Sequence, residues 1–199
     1  MITNGSFCKN HSKGIAACCI CLLALVASWL WFTRPVSASQ RLRGARVSSV
    51  EVIDMVTPPG GPTEMDGIVT EDGGEIQALM SLLDTYPDSR RFDWDWLFGA
   101  GWGNWGDGEA ERSVWVRLFF TGPDGKPDSL EYIASERGRL QVFEPNRSGD
   151  VPAGVGRFGD AGAKQYFETL HRFYEQKADG PLWSGETIGD GGNSGAVAS

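Results

Sequence analysis

The stretch VWVRLFFTGPDGKPDSLEYIASERGRLQVF, residues 114–143, decides the fold of this chain. Residues 114–120 are rich in β-branched and aromatic side chains, which favour extended structure. TGPDGK at 121–126 has the glycine, proline and aspartate of a turn, and a shorter turn follows at 137–139. The stretch therefore predicts a meander of three strands, 114–120, 130–135 and 140–143.

Working outward, residues 47–56 alternate as a strand does, and TPPGGPTEMDG at 57–67 is predicted to be a surface loop. Two helices are predicted because apolar residues recur at helical spacing. The first has Asp72 as its cap, Glu75 at the capping-box position and Pro87 as its stop. The second follows Asp160. Their apolar faces consist of Ile76, Leu79, Met80 and Leu83 in the first helix, and of Ala163, Tyr166, Phe167, Leu170 and Tyr174 in the second.

This order of elements predicts the α+β class, with an antiparallel sheet of four to five strands and two helices packed on one face. An N-terminal hydrophobic helix precedes this single domain, which we place at residues 47–178. Residues 39–46, SQRLRGAR, are expected to form a basic, polar stalk. Residues 179–199 lack periodicity and bulk, so they are expected to be a disordered tail.

Composition excludes several classes of protein. The chain has 26 acidic and 18 basic residues, a formal net charge of −8, and residues 1–38 contain no acid at all. An acidic domain of this kind repels nucleic acid, so we expect no nucleic-acid partner. All four cysteines precede residue 22, which leaves the domain without material for disulfides or a thiolate metal site. We predict neither a metal nor a cofactor.

Residues 1–38 are expected to direct export, either as a signal peptide or as an N-terminal membrane anchor. The uncharged run at 15–32 covers roughly 27 Å as a helix, close to the hydrocarbon thickness of a bilayer. That run is longer than a typical signal-peptide core, which favours a retained anchor. Val36-Ser37-Ala38, however, fits the small-residue rule for cleavage after Ala38. Both alternatives stay open.

The charges that flank the run leave orientation undecided, since Lys9 and Lys13 lie before it and four arginines lie after it. The cleavage motif and the short basic N-terminal region favour a C-terminal domain outside the cytoplasm. The alternative is a cytoplasmic domain on a reversed anchor, which the positive-inside rule would favour.

The candidate binding site lies in FDWDWLFGAGWGNWGDGE, residues 92–109, which holds four of the eight tryptophans. Phe92, Trp94 and Trp96 alternate with aspartates, as core-facing residues of a strand do. Trp102 and Trp105 lie among glycines instead. Exposed aromatic rings on loops are preferred recognition anchors. The predicted partner-binding residues are Trp102, Trp105, Asp107 and Glu109.

Other chemistry finds less support in the residues. The G-x-G-x-x-G at 101–106 leads into acids and a strand, where a dinucleotide fingerprint needs a helix. Asp93 and Asp95 do not continue into an EF-hand pattern. His171 borders the apolar face of the second helix and is expected to be a partly buried structural histidine. Asn146 begins a glycosylation sequon, which matters only in a host that glycosylates.

We therefore expect an exported or membrane-anchored, non-enzymatic envelope domain that binds a protein or a glycan through residues 97–111. Two alternatives remain. The chain is a small extracytoplasmic hydrolase that uses acidic residues, or it is a structural accessory domain whose aromatic rings are all core.

Overall fold

The computed structural model describes residues 5–90, 111–145, 151–156 and 161–185. The chain divides into two compact units, residues 1–34 and 35–199. The first unit consists of helix α1, Gly5–Phe32, which includes the uncharged run. Thr33 Oγ1 donates a hydrogen bond to the Trp29 carbonyl, 2.9 Å away, at the C-terminal end of this helix. No helix formed by the described residues has the length and mean hydropathy that crossing a bilayer requires. The anchor at 15–32 stays a prediction.

The second unit is an α+β domain, as predicted. Its helices are α2 (Ala38–Leu42), α3 (Gly73–Thr85) and α4 (Ala161–Lys177), and its strands are β1 (Val47–Thr57), β2 (Glu64–Thr70), β3 (Asp88–Arg90), β4 (Glu111–Thr121), β5 (Pro127–Ser135), β6 (Leu140–Phe143) and β7 (Val151–Val155). The strands form one sheet in the order β2-β1-β4-β5-β6-β7-β3, and each neighbouring pair is antiparallel.

The predicted meander is the centre of this sheet. Val116 on β4 pairs with Tyr132 on β5, which pairs with Val142 on β6. The two turns between these strands place Gly125 at φ 77° and Gly138 at φ 80°. These left-handed backbone conformations are accessible to glycine without strain, so the turn residues set the register of the meander.

The predicted strand count of four to five is wrong, because the described residues form seven strands. β2 begins inside the stretch predicted to be a loop, and β7 lies in a segment rich in glycine and proline. β3 has only three residues and follows directly after Pro87. Each of these strands is too short, or too rich in turn-forming residues, for its alternation to stand out in sequence.

The hydrophobic core lies between the helices and one face of the sheet. Val114, Val116 and Leu118 alternate along β4 on that face and are fully buried. The core-facing helix residues predicted from spacing belong to the same cluster, namely Leu79, Leu83, Phe167 and Leu170. Asp72 caps α3 as predicted and accepts hydrogen bonds from the amides of Gly74 and Glu75. The Glu75 side chain instead binds Lys177 and Trp183.

Two boundaries of the domain differ from the predicted ones. Within the expected stalk, residues 39–42 belong to α2, and Leu42 is a core residue. Within the expected disordered tail, Trp183 is only 8% exposed and packs edge-on against Phe173. The backbones of Ser184 and Val69 exchange two hydrogen bonds of 2.9 Å. The folded domain therefore begins before residue 39 and extends to at least Ser184. Residues 186–199 lie outside the described residues.

Candidate binding surface beside residue 111

The predicted partner-binding residues Trp102, Trp105, Asp107 and Glu109 lie outside the described residues, and so do the aromatic stretch at 92–96 and the glycine motif at 101–106. The structure does describe both ends of their segment. Arg90 ends the edge strand β3, and Glu111 begins the interior strand β4. Three strands, β5, β6 and β7, lie between those two strands in the sheet. The segment 91–110 thus starts and finishes on ordered backbone.

Next to Glu111, the guanidinium of Arg112 binds Asp54 on β1. Nε lies 3.0 Å from Oδ1 of Asp54, and Nη2 lies 2.6 Å from Oδ2. The Arg112 amide donates to Oε1 of Glu136, 2.9 Å away. The hydrogen bond with Asp54 is the main reason that the pKa of Arg112 lies above its usual value. The first residues of β4 are therefore fixed by backbone pairing and by charge.

His171 on α4 faces the same aspartate. Its Nε2 atom lies 3.9 Å from Oδ1 of Asp54, beyond hydrogen-bonding distance, and Nδ1 lies 3.7 Å from Oε1 of Glu175. The ring stacks on Phe167 with centroids 5.7 Å apart. The side chain is 16% exposed, so the expected partly buried histidine is confirmed. Nε2 is buried, and none of the described residues forms a hydrogen bond with it.

A second carboxylate, Asp66, extends this group of polar side chains. Asp66 lies directly opposite Asp54 in the pairing of β1 with β2. Burial is the main cause that raises the pKa of the Tyr174 phenol above its usual range, and the hydrogen bond to Asp66 is the next largest cause. The phenol is protonated at neutral pH, as an ordinary tyrosine is, and donates this hydrogen bond to the Asp66 carboxylate. We call Asp54, Asp66, Arg112, His171 and Tyr174 the His171 cluster.

Two further groups of ionisable side chains lie elsewhere in the domain. Arg41 on α2 binds both Asp88 and Glu144, and Arg90 lies 3.0 Å from Oε2 of Glu144. Burial alone lowers the pKa of Arg41, but Asp88, with smaller contributions from Tyr132 and Glu144, more than offsets this and leaves that pKa above its usual value. Arginine thus links two carboxylates that are largely removed from water.

The other group lies on the sheet face away from the helices. The guanidinium of Arg117 lies against the rings of Trp115 and Phe119, with centroids 4.9 and 5.0 Å away. Its Nη1 atom donates to Oε2 of Glu51, 3.0 Å away, and its Nε atom lies 3.7 Å from Oε1 of Glu131. The alternation of Trp115, Arg117 and Phe119 along one strand is a sequence signal for this stacked arrangement, which was not predicted.

Arginine side chains bind three buried carboxylates of the domain, those of Glu51, Asp54 and Asp88. A pair of catalytic carboxylates needs one partner to hold a proton, and a bound arginine opposes that protonation. The Asp88 carboxyl nevertheless has a pKa above its usual value, because burial outweighs the effect of Arg41. Within the described residues, no group of three or more His, Cys, Asp or Glu side chains is placed to hold a metal ion.

Comparisons of the chain with protein-family models, with curated proteins and with solved structures find no match.

Proposed function

We propose that this chain is a non-enzymatic domain of the cell envelope that binds a protein or a glycan through residues 97–111. The domain is exported and is either anchored by residues 15–32 or released after cleavage near Ala38. The observation that carries the proposal is the position of the two ends of the segment 91–110. It follows the edge strand β3 and precedes the interior strand β4 of the same sheet.

The electrostatics beside the segment support a recognition role. Where β4 begins, the His171 cluster offers the partly exposed guanidinium of Arg112 and the exposed carboxylate of Asp66. Aromatic anchors bordered by polar side chains are typical of binding interfaces. Trp102 and Trp105 would provide the anchors, and the cluster would provide polar contacts next to them.

The exposed side chains of α1 support the anchor. Large apolar residues are exposed along this helix, and several of them, Leu23, Leu25 and Trp31, are more than two-thirds exposed. A helix that is apolar on all sides needs a hydrophobic environment, which a membrane supplies. The rings of Trp29 and Trp31 near the end of the run fit a position at the membrane interface.

The test is a pair of alanine substitutions, Trp102→Ala and Trp105→Ala, in the full chain extracted in detergent. We expect binding to a membrane extract of the source cells, or to a panel of soluble glycans, to fall by at least about tenfold, the equivalent of 1.4 kcal/mol. The free energy of unfolding should change by no more than about 0.5 kcal/mol, as for surface positions.

Met65→Ala is the matched control, because it removes an exposed apolar side chain outside the segment and should leave binding unchanged. A loss of about 3–5 kcal/mol in the double variant would show that the two rings are core residues, as the structural accessory alternative requires. Full binding by a stable double variant would place the recognition surface elsewhere.

A further inference from the structure

The predicted cleavage motif Val36-Ser37-Ala38 lies inside the folded unit, which begins at Pro35. Val36 forms an antiparallel bridge with Asp88, the first residue of β3. Its amide donates to the Asp88 carbonyl at 2.8 Å, and the Asp88 amide donates back to the Val36 carbonyl at 3.1 Å. Val36 thus pairs with β3, an edge strand of the sheet.

The other two residues of the motif begin helix α2. The Ser37 hydroxyl accepts a hydrogen bond from the Gln40 amide, and the Gln40 side chain accepts one from the Ser37 amide, which completes a capping box. Ala38 is the first residue of the helix and is 2% exposed within the core. Both residues therefore have structural roles in the domain.

Helix α2 has only five residues, so its position depends on these contacts. The helix carries Arg41 to its buried partners Asp88 and Glu144, and it places Leu42 in the core. Short helices have little stability of their own and rely on caps and packing. Loss of the cap would loosen the segment that holds this buried arginine.

Cleavage after Ala38 would remove every contact of the motif. The sheet would lose the two backbone hydrogen bonds of Val36, α2 would lose its capping box, and the core would lose the Ala38 methyl group. Ser39 would keep its bonds to the Asp84 carboxylate, since both its amide and its hydroxyl lie on the domain side of the scissile bond. That contact is compatible with either form, whereas the others require an intact chain.

We infer that the leader is retained in the mature protein, so that residues 35–38 are the first part of the domain and residues 15–32 are a permanent anchor. This inference rests on the proposed export of the domain. It decides between the two forms that the sequence leaves open, because only the uncleaved chain keeps the pairing of Val36, the capping box of α2 and the core contact of Ala38. The product is a membrane-tethered binding domain and not a freely diffusing one.

The experiment uses the full chain with a C-terminal epitope tag, expressed in the source cells. Intact mass spectrometry of the tagged protein from washed membranes should give the whole chain, 21.6 kDa plus the tag. Hydrogen exchange of the same detergent-solubilised protein should show the Val36 amide exchanging at least ~100-fold more slowly than in an unfolded chain, as a bonded amide of the folded domain does.

A protein that begins at Ser39 would overturn the inference, even if it reached the cell exterior. An unprotected Val36 amide would overturn it as well, because residues 35–38 would then not belong to the domain. Protease added to intact cells should remove the tag. A protected tag would contradict the export proposal alone, and the exchange of Val36 would then decide whether the motif is part of the fold.

Discussion

Substitution of Arg41 tests whether residues 39–46 form an exposed polar stalk or belong to the folded domain. Its side chain is 7% exposed, and its guanidinium is bound by Asp88 and Glu144, which are 2% and 15% exposed. Arg41→Met keeps much of the apolar volume and removes the charge. The substitution leaves a buried carboxylate at Asp88 without its counter-ion, whereas Glu144 keeps Arg90.

Breaking a buried ion pair by removing one partner typically costs about 3–5 kcal/mol. Because Arg90 still neutralises Glu144, we expect the low end of that range, about 3 kcal/mol. In a domain of this size 1 kcal/mol shifts the melting temperature by roughly 2–4 °C, so Arg41→Met should melt roughly 6–12 °C below the wild type. Differential scanning fluorimetry or circular dichroism of the detergent-extracted chain resolves such a shift.

Arg46→Met is the matched control, since Arg46 is an exposed arginine of the same segment. It should change the free energy of unfolding by less than about 0.5 kcal/mol. Adding Asp88→Asn to Arg41→Met should recover part of the loss, because the unpaired charge is then gone. Equal melting temperatures for Arg41→Met and Arg46→Met would refute this reasoning and would show that Arg41 belongs to an exposed stalk.

Two further predictions concern the C-terminal segment and the carboxylate that holds it. Trp183→Ala should lower the free energy of unfolding by about 3–5 kcal/mol. Leu182→Ala is the control and should lower it far less, because Leu182 is 52% exposed. Equal urea unfolding curves for the two variants would show that this segment is part of the disordered tail. The hydrogen bond from Lys177 is the main cause that holds the pKa of Glu75 below its usual value. The stabilising effect of this hydrogen bond is therefore present above about pH 4.3 and is lost as the pH falls through the lowered pKa. Glu75→Gln should therefore melt below the wild type at pH 7 and approach it at pH 3, and a gap of constant size would contradict this contribution.

Features that depend on local spacing could be predicted from sequence. The apolar faces of both long helices follow from the 3.6-residue period, and Leu79, Leu83, Phe167 and Leu170 are buried where that period places them. The central meander follows from the composition of its strands and from a glycine in each turn. These signals lie within a few residues of the structure they specify, so no knowledge of the rest of the chain is needed.

The candidate site could be predicted only in part. His171 was predicted to be partly buried, but the two aspartates of its cluster, Asp54 and Asp66, come together through the pairing of β1 with β2. Strand β2 was not predicted, so the meeting of the two aspartates could not be predicted either. The predicted loop residues 102–109 lie outside the described residues, and their role stays a prediction.

Only the tertiary structure decided which polar and terminal residues belong to the domain. Arg41 looks like part of a basic stalk, yet the carboxylates that bind it lie 47 and 103 residues away along the chain. Trp183 looks like part of a featureless tail, yet its indole donates to Glu75, 108 residues away. Likewise β3 forms a strand because β7 offers it backbone partners. Whether a charge or a ring is buried depends on what meets it in space, and spacing along the sequence does not record such distant partners.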